Sequence, residues 1–550
     1  MMARFHRRIA TAVRRHLPTA IALGLTLAIG AARAQQSHLP DMGSSAARII
    51  TPAEQREYGA MTLAQLRRFD YTLDDPLLAD WLQGVGSRLV ASSDANSIPF
   101  TFFLLREREI NAFATLGGYV AVNSGLVLTA EREDEVAAVL AHEVSHVSQS
   151  HVLRAVERAQ RDQLPILLAM LGAIVVAQKA GGGGNSASNA TMAAVAGAQG
   201  LMVQRQLDYS RSNESEADRI GIRLLARAGY DPNAMAGFFE RMETAMRANR
   251  GGDREQTPDY LLTHPVTGTR IAEAKARAAQ MSNAPVVANV ASRDNPLLPP
   301  GVRVQVSQRG ASGIFDFAKE RMRALTAVTP TQAAQEYERM ATRHPLTDAQ
   351  RYGQAVARLT AGQYAPAGTT LGQLLQKHPD NWWLAVGMAE ADNGLGHRAE
   401  ADSRLNALLQ RMPGNRAVAI AYAQILNQRG GHAAGQRAIE ILRPLATDAG
   451  DDPTFQATLG RAAEQGGDTI RAGEAYAQAA YLNGNPQRAL LQLHTLKRRP
   501  DLDYYARTRI DARIAAITPE VLEMRKQGIR DMDAGPNDGK NLQQAFDSVR

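Results

Sequence analysis

The chain has 550 residues, too many for one hydrophobic core, so two or three domains are expected. With 45% hydrophobic and 21% charged residues it has the composition of a soluble protein, and its few aromatics and many Ala and Arg lean towards helix. The formal charge of +7 falls to +1 once the six arginines of residues 1–34 are set aside, so the charge balance gives no reason to expect nucleic acid as a partner.

Arg4, Arg7, Arg8, Arg14 and Arg15 form a basic lead, Ala20 to Gly30 a short apolar run, and Ala32-Arg33-Ala34 a small-x-small cleavage pattern. This predicts a secretory signal peptide over 1–34, cut before Gln35. The apolar run is too short to span a bilayer with ease. The chain has no cysteine, so an exported product is held by core packing, helped by metal, rather than by disulfides. Together these features place the chain in a Gram-negative periplasm.

Residues 35–281 read as one mixed domain. Helical patterns cover Thr51 to Arg68 and Asp75 to Ala91. Two strand-like runs follow, Phe100 to Leu105 and Tyr119 to Asn123, the second reached through Asn111-Ala112-Phe113-Ala114 and a turn at Gly117-Gly118. The spacing then predicts helix from Glu131 to Ala159. Residues 165–207 are apolar and small, broken by Gly181 to Gly184, and read as a buried hairpin with a mobile tip or as a flap over the active site that touches the membrane peripherally. Helix resumes over Arg211 to Ala228 and Pro232 to Ala248. Residues 282–310, rich in Pro, Asn, Val and Ser, read as a linker.

Residues 311–550 repeat. Pro345, Pro379 and Pro413 are 34 apart, and so are Gly362, Gly396 and Gly430. Pro falls before one helix and Gly between the pair, a period that resembles the tetratricopeptide repeat. Pro453 and Pro486 look like later, looser copies. Stacked helix pairs of this kind leave a groove suited to proteins or peptides.

His142-Glu143-Val144-Ser145-His146 lies within the helical pattern, and residues four apart share a helix face. Two imidazoles one turn apart can grip one Zn²⁺, with Glu143 placed to act as general base on a water. A catalytic zinc wants a third protein ligand, and His151, Glu214, Glu216, Asp218 and His264 are the candidates. The metzincin extension fails, since Gln149 and Val152 stand where it needs Gly and His. Asn213-Glu214-Ser215-Glu216-Ala217-Asp218 opens a helix on which Glu214 and Asp218 share a face, while Glu216 points elsewhere. His264 precedes Pro265 and is open to three roles: fourth zinc ligand, donor to an oxyanion, or a plain place ahead of a helix. Tyr119 to Val122, taken as an exposed edge strand, would bind extended peptide through its backbone.

The set Asn111-Ala-Phe-Ala, Gly117-Gly-Tyr-Val, Asn123-Ser-Gly-Leu, His142-Glu-Val-Ser-His, Asn213-Glu-Ser-Glu-Ala-Asp and Thr263-His-Pro-Val-Thr-Gly-Thr-Arg270-Ile resembles, in order and context, the zinc gluzincin family of the CAAX prenyl endopeptidase and the heat-shock membrane protease. The resemblance covers roughly residues 50–280. It implies His142, His146 and Glu214 as ligands to one Zn²⁺, Glu143 as catalytic base, Asp218 as a helper that hydrogen-bonds a ligand imidazole or hands on a proton, and importance for His264 and Arg270. With a signal peptide and repeats, the chain is similar to the periplasmic subgroup of that family that serves outer-membrane barrel assembly. That implies misfolded or misassembled outer-membrane proteins as substrates and the barrel-assembly machinery as docking partner of the repeats. The alternative is a repeat-based adaptor or chaperone with a silenced or structural zinc site. The expected fold is α+β, mainly α: a gluzincin metalloprotease domain with a small sheet, then an α-solenoid of tetratricopeptide-like helix pairs.

Overall fold

In the computed structural model, residues 50–94, 98–155, 157–158, 210–249, 264–282 and 310–526 are described. The signal segment, the 165–207 stretch and nearly all of the linker lie outside them. Helix α1 (Pro52–Arg68) begins at a capping box: Thr51 Oγ1 accepts from the Glu54 N–H, and the Glu54 carboxylate accepts from the Thr51 N–H at 2.7 Å. Helix α2 (Pro76–Ala91) is capped by Asp75, whose Oδ1 accepts from the Leu78 N–H at 3.0 Å. Both helices carry Pro at the first position, where no N–H is needed.

Three strands follow, β1 (Thr101–Leu105), β2 (Ala112–Ala114) and β3 (Tyr119–Asn123), in the order β1-β3-β2. β1 runs parallel to β3, with Thr101 opposite Tyr119. β2 runs antiparallel, with Ala112 opposite Val122. The expected edge strand, Tyr119 to Val122, is therefore the central one, its backbone paired on both sides. The edge that faces the site is β2, three residues too short to show a period in the sequence. The β2–β3 link is a tight 3₁₀ turn (Leu116–Gly118) with Gly117 and Gly118 at φ 76° and 85°. A Cβ on Gly117 would lie 2.6 Å from Arg56 Cα, so α1 packs directly on this turn.

A short helix α3 (Ser124–Thr129) leads to α4 (Glu133–Ser148), which is buried almost throughout and packs against α2 and the sheet. The helix expected to run to Ala159 stops at Ser148. Ser150 takes a left-handed φ of 54°, and helix restarts at residue 151. Helix α5 (210–228), α6 (Ala234–Asn249) and α7 (Gly268–Ser282) complete this region.

The remaining helices are α8 (Phe315–Leu325), α9 (Pro330–Ala341), α10 (Asp348–Thr360), α11 (Tyr364–Lys377), α12 (Trp382–Gly394), α13 (Arg398–Arg411), α14 (Arg416–Arg429), α15 (His432–Leu442), α16 (Pro453–Gln465), α17 (Thr469–Leu482), α18 (Pro486–Lys497) and α19 (Tyr504–Lys526). From α10 to α15 the 34-residue period is kept. Pro345, Pro379 and Pro413 each stand three residues before a helix, and Gly362, Gly396 and Gly430 turn between partners at φ 72°, 84° and 71°. Thr347, Asn381 and Asn415 cap the first helix of each pair at the same spacing. Pro453 and Pro486 instead occupy the first turn of α16 and α18, because a 3₁₀ turn (Arg443–Leu445) and its loop shift the frame.

The repeats do not stand apart from the first region. Arg321 of α8 donates to both Asp75 oxygens, at 2.9 and 2.7 Å, and to Tyr352 Oη at 3.2 Å, all buried. Glu133, at the start of α4, accepts from Trp81 Nε1 at 3.0 Å, from the Ser312 N–H at 2.8 Å and from the Ser312 hydroxyl. Between α17 and α18, a Cβ on Gly484 would overlap the Ala64 carbonyl of α1. Removing one partner of a buried ion pair strands the other charge. Arg321→Met should therefore lower unfolding free energy by about 3–5 kcal/mol, read by urea denaturation.

Candidate metal centre

The site lies where α5 crosses α4. The crossing is close because Gly221 has no side chain: a Cβ there would stand 3.3 Å from His142 N and from Ala141 C. One turn and two turns earlier on α5, Asp218 and Glu214 are carried onto His142. The third element is the segment before α7 together with the first turn of α7, which deliver His264 and Arg270 respectively.

Four ligand atoms converge, from His142, His146, Glu214 and His264, all within 4.8 Å of one another. His142 Nε2 lies 3.0 Å from His146 Nε2 and 3.4 Å from His264 Nδ1. Glu214 oxygens lie 3.3 Å from His142 Nε2, 3.3 Å from His146 Nε2 and 3.0 Å from His264 Nδ1. A tetrahedron with arms of about 2.0–2.1 Å has edges near ~3.3 Å, so these separations suit one Zn²⁺-sized ion. Three imidazoles and a carboxylate are also the donor types such an ion prefers.

The electrostatics agree with the geometry. Burial works against a charge on His142, yet hydrogen bonding to Asp218 and Glu214 outweighs it and pushes its pKa up to about 10. Burial and the charge on His142 pull His146 down to about 3, against Glu214. Burial would raise the Glu214 carboxyl, but its imidazole partners hold it far below the carboxylate range. A single positive charge is what the cluster is built to take, and a cation meets that need at all four atoms at once.

The remaining predicted residues sit around this core. Glu143, 1% exposed, has its carboxyl pushed up by burial, and its Oε1 is 3.7 Å from His264 Nε2. Asp218 Oδ1 stands 3.0 Å from His142 Nδ1, on the side of the ring away from the four-atom cluster. Arg270 clamps it, Nε donating to Oδ2 at 2.7 Å and Nη2 to Oδ1 at 2.8 Å, and its Nη1 reaches Glu214 at 3.0 Å. His264, open in the sequence between fourth ligand, oxyanion donor and a place ahead of a helix, and expected among the catalytic residues, has its Nδ1 among the four clustered atoms. His151 and Glu216, both considered as third ligands, are outside the cluster. A cleft of about 270 Å³ opens beside it, lined by Phe113 and Ala114 of the β2 edge, Thr115 just after it, Glu143, His146 and His264.

Residues 76–278 match the model of peptidase family M48, and residues 346–425 match a tetratricopeptide repeat. The chain carries an M48 peptidase domain followed by tetratricopeptide repeats. The beta-barrel assembly-enhancing protease of Escherichia coli is 33% identical over 345 residues, covering 63% of this chain. A Vibrio cholerae protein provisionally assigned the same name is 36% identical over 344 residues, covering 62%. The chain matches 64% of the length of each. A mitochondrial metalloendopeptidase of Arabidopsis thaliana is 28% identical over 226 residues, 41% of either chain. Among the described residues no helix of the M48 domain or the repeats is long and apolar enough to cross a membrane.

Sequence reading of the M48 domain missed the β2 edge and the glycine crossing. The only available signal for the second was Gly221 inside an otherwise regular helical pattern. Gly221→Leu should push α5 off α4, costing about 1–3 kcal/mol. It should weaken metal retention in the same protein, read by thermal melting and by metal content after dialysis.

Proposed function

We propose that the chain is a periplasmic zinc endopeptidase that acts on misfolded or misassembled outer-membrane proteins. The observation that carries the reading is the convergence of His142, His146, Glu214 and His264 with Glu143 at the wall of an open cleft. A bound zinc ion supplies Lewis acidity, polarising the scissile carbonyl and lowering the pKa of a water to about 7. Glu143 takes the proton of the attacking water and returns it to the leaving amine. Its burial keeps the carboxyl basic enough for both transfers. Asp218, locked by Arg270, orients His142.

The β2 edge beside Glu143 suits an extended peptide held by backbone hydrogen bonds, a recognition that reads little sequence. That fits a quality-control enzyme whose clients share unfolded backbone rather than a motif. His264 fills the fourth position, so the site is closed at rest and a client must displace it. The same closure is what favours the second reading, a repeat-based adaptor whose zinc site is silenced. The names of the relatives and the tetratricopeptide match support docking of the repeats on the barrel-assembly machinery. The 165–207 stretch would add a peripheral membrane contact, and the exported chain should begin at Gln35, as mass spectrometry of the periplasmic protein would show.

Glu143→Gln should keep the fold and one zinc per chain while proteolysis of casein or an unfolded barrel protein falls at least about 10²–10⁴-fold, the usual worth of a general base. Cleavage undiminished in that variant would sink the assignment, and a wild-type chain that binds zinc but cleaves nothing would favour the adaptor.

A further inference from the structure

His151 stands behind His146. Its Nδ1 lies 2.8 Å from His146 Nδ1, across the His146 ring from the ligand atom Nε2. The rings meet edge to face, 85° apart with centroids 4.7 Å from each other. Two imidazole nitrogens at that distance share one proton. His146 must keep the Nε2 lone pair for a cation, so its proton is on Nδ1 and is donated to His151 Nδ1. His151 then carries its own proton on Nε2, which lies 3.1 Å from Glu216 Oε2. Arg154 Nη2 donates to the same oxygen at 2.8 Å. The whole chain of contacts is satisfied by one choice of tautomers.

This arm mirrors the one on the other ligand. His142 turns its rear nitrogen to Asp218, which Arg270 holds. His146 turns its rear nitrogen to His151, which Glu216 and Arg154 hold. The backbone is bent to allow it. Had α4 continued, position 150 would lie one turn beyond His146 and position 151 would turn about 140° away from His146. The left-handed Ser150 ends the helix and returns His151, 3% exposed, beneath His146. A non-glycine residue there costs roughly 1–2 kcal/mol, a strain the site sustains.

We propose that His151 is a positioning residue of the metal centre, holding His146 in the tautomer and orientation that aim Nε2 at the ion, with Glu216 and Arg154 securing His151 in turn. This rests on the zinc reading above. The test is zinc affinity of the full chain by chelator competition, with melting of the zinc-free protein in parallel. His151→Ala should bind zinc about 10–100-fold more weakly, the usual cost of losing such a partner. Its zinc-free melting temperature should stay at the wild-type value. His151→Asn, whose Oδ1 falls near the lost Nδ1, should restore most of the affinity. His151→Gln, with its acceptor one bond further out, should not. Glu216→Gln should weaken zinc in the same direction as His151→Ala. Wild-type affinity in His151→Ala would overturn the proposal, as would equal losses in the Ala and Asn variants with a lowered zinc-free melting temperature. A wild-type chain that binds no zinc would instead overturn the metal reading itself.

Discussion

Four lone pairs point into one buried space between α4 and α5, and they repel one another unless a positive charge lies among them. Most of the first region serves that requirement. Gly221 lets the two helices approach until Glu214 and Asp218 reach His142. Arg270, itself buried and stacked 4.8 Å over the Phe239 ring, balances two carboxylates that would otherwise face each other in a low-dielectric setting. The rear nitrogens of His142 and His146 face Asp218 and His151, so neither of these two rings is free to turn its wrong edge to a cation.

The repeats are tied to the same helices that carry the chemistry. Glu133 begins α4, and its carboxylate gathers donors from Trp81 and Ser312, joining the start of the repeat array to the helix of His142 and His146. Asp75 caps α2 and at the same time receives Arg321 of the first repeat-side helix. Polar joints buried this way fix how the two regions meet, because losing either partner alone leaves the other buried and unpaired. α1 is held between the Leu116–Gly118 turn at the cleft and the loop at Gly484, so a late loop of the array rests on an element that borders the site.

Much of this was legible in the sequence where the signal is local. Helix starts at Thr51 and Asp75 are written in the capping residue and the proline beside it. The pairs from α10 to α15 are written in a 34-residue period of Pro and Gly. His142, Glu143 and His146 share a face by spacing alone. The failures were also local in origin. A three-residue strand has no period to read, so the sequence shows no strand at β2 and leaves β3 looking like an edge. The end of α4 at Ser148 has no Gly or Pro to announce it, because Ser150, two residues on, takes the left-handed conformation that a glycine would otherwise mark.

Sequence by itself determined the two helix-borne histidines, the acidic segment at Glu214 and the repeat period, since each depends on spacings of a few residues along one chain direction. Only the tertiary structure decided which of the remaining histidines and acids meet them. Glu214 is 68 residues from His146 and His264 is 50 further on, and no periodicity reaches across such gaps. The choice was made by packing: the approach of α5 at Gly221 and the segment carrying Pro265 and Arg270 place His264 among the ligands. The left-handed turn at Ser150 takes His151 out of them and sets it behind His146.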